Sequence, residues 1–184
     1  MDNFFARQLA TYASYHRDER NRATHFVGIP AIVFSILVPL ALVRADGISA
    51  AMAVALLAVI GWIALDRIIG CALTVVMVPM LLVAEWIARS YGSTISWIVF
   101  AVFFIGGWVF QLAGHVWEGR RPALTDNLFQ AFIGPMFITA EVLMALGLKQ
   151  DLKEPLNASR PACLRPVSRA CRARRPADAS PSRA

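Results

Sequence analysis

The chain has 184 residues, of which 58% are hydrophobic and only 16% are charged. This composition excludes a disordered protein and is too apolar for an ordinary soluble enzyme, so it indicates an integral membrane protein. The formal net charge of +6 belongs to residues 149–184, because residues 1–148 carry nine arginines and nine acidic residues. No nucleic-acid partner is expected, since most of the chain has no basic excess.

Residues 1–25 are polar and charged, with scattered aromatic side chains, and we expect them to form an amphipathic N-terminal helix. They lack the short basic start and apolar core of a cleavable signal peptide.

Four uncharged apolar runs follow, and each is long enough to cross a bilayer as a helix. They are Phe26–Val43, Ile48–Leu65, Ile68–Ala84 and Ile95–Gly114. We therefore predict an all-α membrane bundle with four transmembrane helices, preceded by the amphipathic helix. A fifth hydrophobic segment, Leu128–Ala140, is shorter than a typical span and is expected to pack on or into the bundle.

The positions of the basic residues predict the orientation. With the N-terminus in the cytoplasm and the fifth segment not crossing, only Arg44 and Arg89 lie outside, in keeping with the positive-inside rule. The expected location is a bacterial inner membrane, crossed several times, with both termini cytoplasmic. Residues 1–148 are the predicted membrane-embedded domain, and residues 149–184 are a predicted disordered basic tail.

The chain contains three histidines, and the predicted topology places His16, His25 and His115 at the same, cytoplasmic face of the membrane. Because imidazole is the commonest neutral metal ligand, the three could form one metal site with positions open for substrate. His115 shares a helix face with Gln111 and Glu118, so Glu118 is a candidate ligand or a partner of a ligand. The plainer alternative is that the histidines are interfacial anchors and that Glu118 pairs with neighbouring arginines.

His16 and His25 are nine residues apart and would point to opposite sides of one straight helix. If both bind one metal, the chain must break between them. Asn21 is the expected break, and Thr24 is the expected cap of the next helix.

The sequence lacks the motifs of several other kinds of functional site. The sequence has no Gly-rich phosphate loop and no GxSxG elbow, and Gly106, Gly107 and Gly114 lie in an apolar run where they would favour helix packing. Membrane desaturases and hydroxylases with two irons use more than three histidines, and a bis-histidine haem would leave one histidine idle.

Three motifs are similar to those of one membrane family. The first combines Tyr15-His16, Asn21, His25 and Gly28-Ile29-Pro30. The second is Gly114-His115 with Glu118 and Arg121-Pro122-Ala123-Leu124, and the third runs from Gln130 through Gly134-Pro135 to Glu141. The family is that of the fungal endoplasmic-reticulum 2-hydroxy fatty acid dioxygenase, which has many bacterial members. The resemblance covers roughly residues 4–148.

The resemblance implies an Fe(II)-dependent dioxygenase that uses O₂ to shorten 2-hydroxy fatty acids by one carbon, as the fungal member does in phytosphingosine degradation. His16, His25 and His115 would hold the iron and leave coordination positions for a 2-hydroxy acid and O₂. The acyl chain would lie between the helices or in the membrane lipid.

The resemblance also suggests roles for polar residues of the motifs. Arg120 or Arg121 is expected to bind the substrate carboxylate. Glu118, Asn21 and Gln130 are the candidate catalytic residues, with Asn21 and Gln130 supplying hydrogen bonds around the metal. Helix capping and bonding between helices is the alternative role for those two amides.

Two other functions stay open. One is a non-enzymatic membrane protein that scaffolds partners or handles lipid, and the other is a haem or quinone redox protein. A homo-oligomer is compatible with each of these functions.

Overall fold

The computed structural model describes residues 4–119, 129–153 and 156. This part of the chain is mostly helical, which confirms the predicted all-α class. Its elements are α1 Phe4–Tyr15, α2 Glu19–Leu40, the two-stranded ribbon β1 Arg44–Ala45 and β2 Ile48–Ser49, α3 Ala50–Leu65, α4 Arg67–Glu118, α5 Phe129–Ala145 and a 3₁₀ turn Gln150–Leu152.

The chain breaks between α1 and α2 at His16–Asp18, so the expected break at Asn21 with a cap at Thr24 is wrong. Asp18 is the N-cap of α2, and its carboxylate accepts a hydrogen bond from the backbone N–H of Arg20 at 2.8 Å. Aspartate is among the strongest N-cap residues, and here it starts the helix earlier than expected. Asn21 consequently lies inside α2 and is buried.

Helix α4 reverses direction at Gly92, whose φ of 72° and ψ of −167° interrupt the helix. The half of α4 after Gly92 lies antiparallel to α2. Near the start of α2, Asn21 lies against Gly114, and further along α2 the ring of Phe34 lies 5.1 Å from that of Phe103. The α4 residue numbers therefore fall as those of α2 rise.

The half of α4 before Gly92 runs in the same direction as α2. Pro30 of α2 and Met77 of α4 line one cavity, whereas Arg44, beyond the end of α2, reaches Glu85 further along α4. The two halves of α4 thus flank α2 in opposite directions, which returns the end of α4 to the start of α2.

Two described helices, α2 and α4, are long and apolar enough to cross a membrane, whereas α3 and α5 are apolar but shorter. Many large apolar side chains of α3 and α4 are exposed on the outside of the bundle, among them Leu57, Val75 and Val102. An exposed apolar surface of this kind suits contact with lipid.

The fifth hydrophobic segment forms α5, which packs against α1 and α4 and also contacts α2. Residues from Ile133 to Ile138 are all buried, and the indole N–H of Trp62 donates to the carbonyl of Phe132 at 3.1 Å. Glu141 pairs with Arg22 of α2 at 2.8 Å. Leu128, where the predicted segment begins, lies outside the described residues.

The packed part of the chain continues just past α5. Lys149 pairs with Asp66 at 2.6 Å, and Leu152 is buried. Residues 157–184 of the predicted tail lie outside the described residues, so the tail's disorder stays a prediction.

A buried carboxylate joins the ribbon to α4 at the end of the bundle away from the histidines. Glu85 accepts hydrogen bonds from Arg44 and from the hydroxyl of Ser49, and Arg89 approaches it at 3.4 Å. The carboxylate is thereby fully partnered although it is buried, which is the condition under which a buried charge is tolerated.

We expect Glu85→Ala to lower the stability of the protein by about 1–3 kcal/mol, because Ser49 and Arg44 lose their buried acceptor. Arg89→Ala is the matched control and should cost less than about 1 kcal/mol, since an exposed ion pair contributes little. Thermal unfolding in detergent measures both. Equal losses in the two variants would contradict this role for Glu85.

Candidate metal centre

The three histidines meet in one buried cluster, as the sequence predicted. His16 lies in the α1–α2 link, His25 in the first half of α2 and His115 in the last turn of α4. The ring centroids are 4.4 Å apart for His16 and His25 and 5.1 Å from each of these to His115. One nitrogen of each ring lies within 4.8 Å of the others, which is close enough to bind one metal ion.

Backbone carbonyls hold two of the rings. Nδ1 of His16 lies 2.8 Å from the carbonyl oxygen of Tyr12, and Nδ1 of His25 lies 2.8 Å from that of Asn21. A carbonyl oxygen can only accept, so each Nδ1 carries the proton and each Nε2 keeps its lone pair. A bond of this kind on the far nitrogen is what orients a metal-ligating histidine.

The two Nε2 atoms of His16 and His25 face each other at 2.9 Å. Two facing lone pairs need a shared cation between or beside them. Burial lowers the pKa of His16 to about 4, so this imidazole is neutral at ordinary pH. A metal ion therefore fits this pair better than a proton does.

His115 adds a third nitrogen to the cluster. Its Nδ1 is buried and has no hydrogen-bond partner among the described residues. Three neutral imidazoles suit a divalent first-row metal, Fe(II) included, and leave positions open on a six-coordinate ion.

Glu118 anchors the link that carries His16. Its carboxylate accepts hydrogen bonds from the backbone N–H groups of Arg17 at 3.0 Å and Asp18 at 2.8 Å, and from the side-chain amide of Asn21 at 3.2 Å. These contacts place Glu118 as a tie between α4 and the α1–α2 link. Within the described residues the metal-binding cluster consists of the histidines alone.

Two spaces adjoin the cluster. A small chamber of about 120 Å³ is lined by all three histidines together with Tyr12, Gln111, Gln130 and apolar side chains. A wider groove of about 690 Å³ lies along His16 and is lined by Arg17, Arg22, Glu141, Phe26 and Val142 among others. The cluster is thus reachable from a small, mostly apolar chamber and from a wider groove lined by charged side chains.

The family model described as "2-hydroxy-palmitic acid dioxygenase Mpo1-like" matches residues 3–146. The chain belongs to this family. It is 29% identical over 155 residues to the 2-hydroxy-palmitic acid dioxygenase MPO1 of Saccharomyces cerevisiae, in an alignment that covers 82% of this chain and 86% of the yeast protein. No solved structure matches the chain significantly.

Of the other predicted site residues, the structure describes Asn21 and Gln130. Asn21 is buried and touches both Glu118 and His25, the latter through its carbonyl. Gln130 is buried, lines the chamber and donates from Nε2 to Gln8 at 2.8 Å. The predicted carboxylate-binding residues, Arg120 and Arg121, lie outside the described residues.

Sequence reasoning missed the residues that support the histidine rings. The ring of Tyr12 stacks on His16 with centroids 4.2 Å apart, and its carbonyl fixes the His16 tautomer. The four-residue spacing between Tyr12 and His16 was a usable signal, because it places both on one helix face. The role of Asp18, whose N–H binds Glu118, depends on a contact between residues 100 apart and has no local signal.

Small residues allow α2 and α4 to touch at the level of the cluster. A Cβ atom on Gly114 would lie 2.3 Å from Oδ1 of Asn21 and 2.3 Å from Oγ1 of Thr24. At Gly106, by contrast, an added Cβ would meet nothing within 4 Å.

We expect Gly114→Ala to displace Asn21, weaken metal retention and cost about 1–3 kcal/mol of stability through overpacking. Gly106→Ala is the matched control and should be neutral or stabilising by up to about 1 kcal/mol, because alanine favours the helix. Thermal unfolding and bound metal per chain are the measurements. Normal metal content in Gly114→Ala would argue against a role for this contact in the site.

Proposed function

We propose that the protein is an Fe(II)- and O₂-dependent dioxygenase that removes one carbon from 2-hydroxy fatty acids. The observation that carries the proposal is the buried cluster of His16, His25 and His115 with its inward-facing nitrogens. The similarity to a yeast 2-hydroxy-palmitic acid dioxygenase over most of both chains supports the substrate class.

The reaction balances without an external reductant. A 2-hydroxy acid R–CH(OH)–COOH and O₂ contain the same atoms as R–COOH, CO₂ and water. The bond between C1 and C2 breaks, both carbons are oxidised, and O₂ accepts the four electrons. Bound Fe(II) would supply the redox step that lets O₂ react with the organic acid.

The protein's own residues would bind the metal and the substrate and hold them in position. The histidines would hold the metal, and the carbonyls of Tyr12 and Asn21 keep two of them in the ligating tautomer. Glu118 fixes the link on which His16 lies. Carboxylate binding is proposed for Arg120 or Arg121, which follow Glu118 closely in the chain.

We propose that the protein crosses a bacterial inner membrane several times, with both termini cytoplasmic. The four crossings would be α2, α3 and the two halves of α4. The apolar length of α2 and α4, the reversal at Gly92 and the exposed apolar side chains support this topology. The histidine cluster would then lie near the cytoplasmic face.

We expect each of His16→Ala, His25→Ala and His115→Ala to lose most of the bound iron and at least about 100-fold in activity, because each removes one of three ligands. The measurements are iron per chain by elemental analysis after anaerobic purification, and conversion of 2-hydroxypalmitate to the acid one carbon shorter. Val116→Ala is the matched control, because Val116 neighbours His115 but is 78% exposed.

An iron-replete and active His115→Ala protein would overturn the proposal. A scaffold or lipid-handling protein would instead contain no stoichiometric metal and would tolerate all three substitutions. A haem protein would absorb visible light strongly when purified.

The topology has its own test. In a background without native cysteines, Asp46→Cys in the exposed β1–β2 turn should react with a membrane-impermeant maleimide on intact cells. Gln150→Cys, exposed beyond α5, should react only after permeabilisation. Equal labelling of both positions in intact cells would contradict the four-crossing topology.

A further inference from the structure

The chamber beside the histidines contains hydrogen-bond acceptors that the protein leaves unused. Oε1 of Gln111 and Oε1 of Gln130 are buried and have no partner among the described residues. The two side chains come from different helices, and the residues are 9% and 2% exposed. Both line the same chamber as the three histidines. A buried unsatisfied acceptor costs free energy, so such a pair at one site indicates a ligand that satisfies it.

The unused atoms define the chemistry of that ligand. Amide oxygens accept hydrogen bonds and cannot donate them. A carboxylate offers no hydrogen to these oxygens, and a methylene group offers none that is polar. A hydroxyl group satisfies an amide oxygen, and a hydroxyl whose oxygen contacts a metal still has its hydrogen to donate. The chamber is therefore suited to a group that donates an O–H hydrogen, such as an alcohol.

The size of the chamber limits what else enters it. The chamber of about 120 Å³ accommodates a head group and is much smaller than the groove of about 690 Å³ along His16, so a long chain has to extend beyond it. Ile29 and Val33, which wall the chamber, also wall an apolar cavity of about 190 Å³ between α2, α3, α4 and α5. Trp62, Met77 and Met80 line that cavity, so an apolar chain finds apolar contacts beyond the chamber.

Gln111 is the better placed of the two amides. It lies one helical turn before His115 on the same face of α4. Its Cγ and Cδ lie against Gly28 of α2, at 3.1 and 3.3 Å from the position of an added Cβ, so the side chain is held in place. Nε2 of Gln130 donates to Oε1 of Gln8, which holds the Gln130 amide in place and leaves its own Oε1 unused.

We propose that Gln111, assisted by Gln130, accepts the hydrogen of the substrate's 2-hydroxyl group and so selects 2-hydroxy acids over unsubstituted fatty acids. The inference rests on the proposed function for the identity of the acid, but its evidence is the pair of unused acceptors.

The test is equilibrium binding without O₂, on the full chain loaded with Fe(II) in detergent. Wild type is expected to bind 2-hydroxypalmitate at least about tenfold more tightly than palmitate, since the hydroxyl adds a buried hydrogen bond to any contact that its oxygen makes with Fe(II). Gln111→Met keeps the length of the side chain and its contact with Gly28. It should reduce that preference by about tenfold through weaker binding of 2-hydroxypalmitate, with the Kd for palmitate unchanged.

Two controls accompany the variant. Leu112→Ala alters the exposed neighbour of Gln111 and should keep the wild-type preference. 2-Methoxypalmitate has no hydrogen to donate, so wild type should bind it at least about tenfold more weakly than 2-hydroxypalmitate, and this comparison does not depend on any variant folding.

The outcomes separate the two proposals. If Gln111→Met weakens both acids equally, or neither, Gln111 acts only in packing and the inference is overturned. Tight binding of 2-methoxypalmitate to wild type overturns it as well. Failure of wild type to convert 2-hydroxypalmitate, with the Gln111-dependent preference intact, refutes the proposed reaction and leaves hydroxyl recognition supported.

Discussion

The close approach of α2 and α4 is the constraint on which the site depends. A Cβ on Gly28 would lie 2.9 Å from the carbonyl of Gly107, and one on Gly107 would lie 3.0 Å from the carbonyl of Gly28. Backbone contact of this kind requires glycine on both helices, as in tightly packed membrane helices. It sets α2 and the second half of α4 side by side, so that the start of one and the end of the other bring His25 and His115 together.

The histidine tautomers follow from helix geometry. The last carbonyls of a helix lack an intrahelical partner, and His16, one residue beyond α1, takes the carbonyl of Tyr12 with its Nδ1. His25 binds the carbonyl of Asn21 at the same four-residue spacing within α2. The same hydrogen bond to the carbonyl four residues earlier thus orients both rings. Because the chain breaks at His16–Asp18, the two Nε2 atoms face each other.

Much of the site was predictable because its chemistry is rare in this chain. The chain has three histidines in 184 residues, and the predicted topology placed them at one membrane face, which made a shared metal site one of the two interpretations left open by the sequence. The runs Ile68–Ala84 and Ile95–Gly114 fall on either side of Gly92 in α4. The break between α1 and α2 was placed at Asn21 with Thr24 as the cap, whereas Asp18 caps α2 six residues earlier than Thr24. The side chain of Asn21 binds Glu118, 97 residues away, and this tertiary contact holds Asn21 inside α2.

The distribution of hydrogen bonds separates the positioning residues from those left for ligands. The carboxylate of Glu118 and the carbonyls of Tyr12 and Asn21 are engaged by the protein, so they hold the site in shape. The uncommitted atoms that face the chamber are the Nε2 pair, Nδ1 of His115 and the oxygens of Gln111 and Gln130, whereas the unpaired Oδ1 of Asn21 lies against Gly114. Folding leaves such atoms unsatisfied at a cost in stability, which binding of the proposed metal and alcohol would offset.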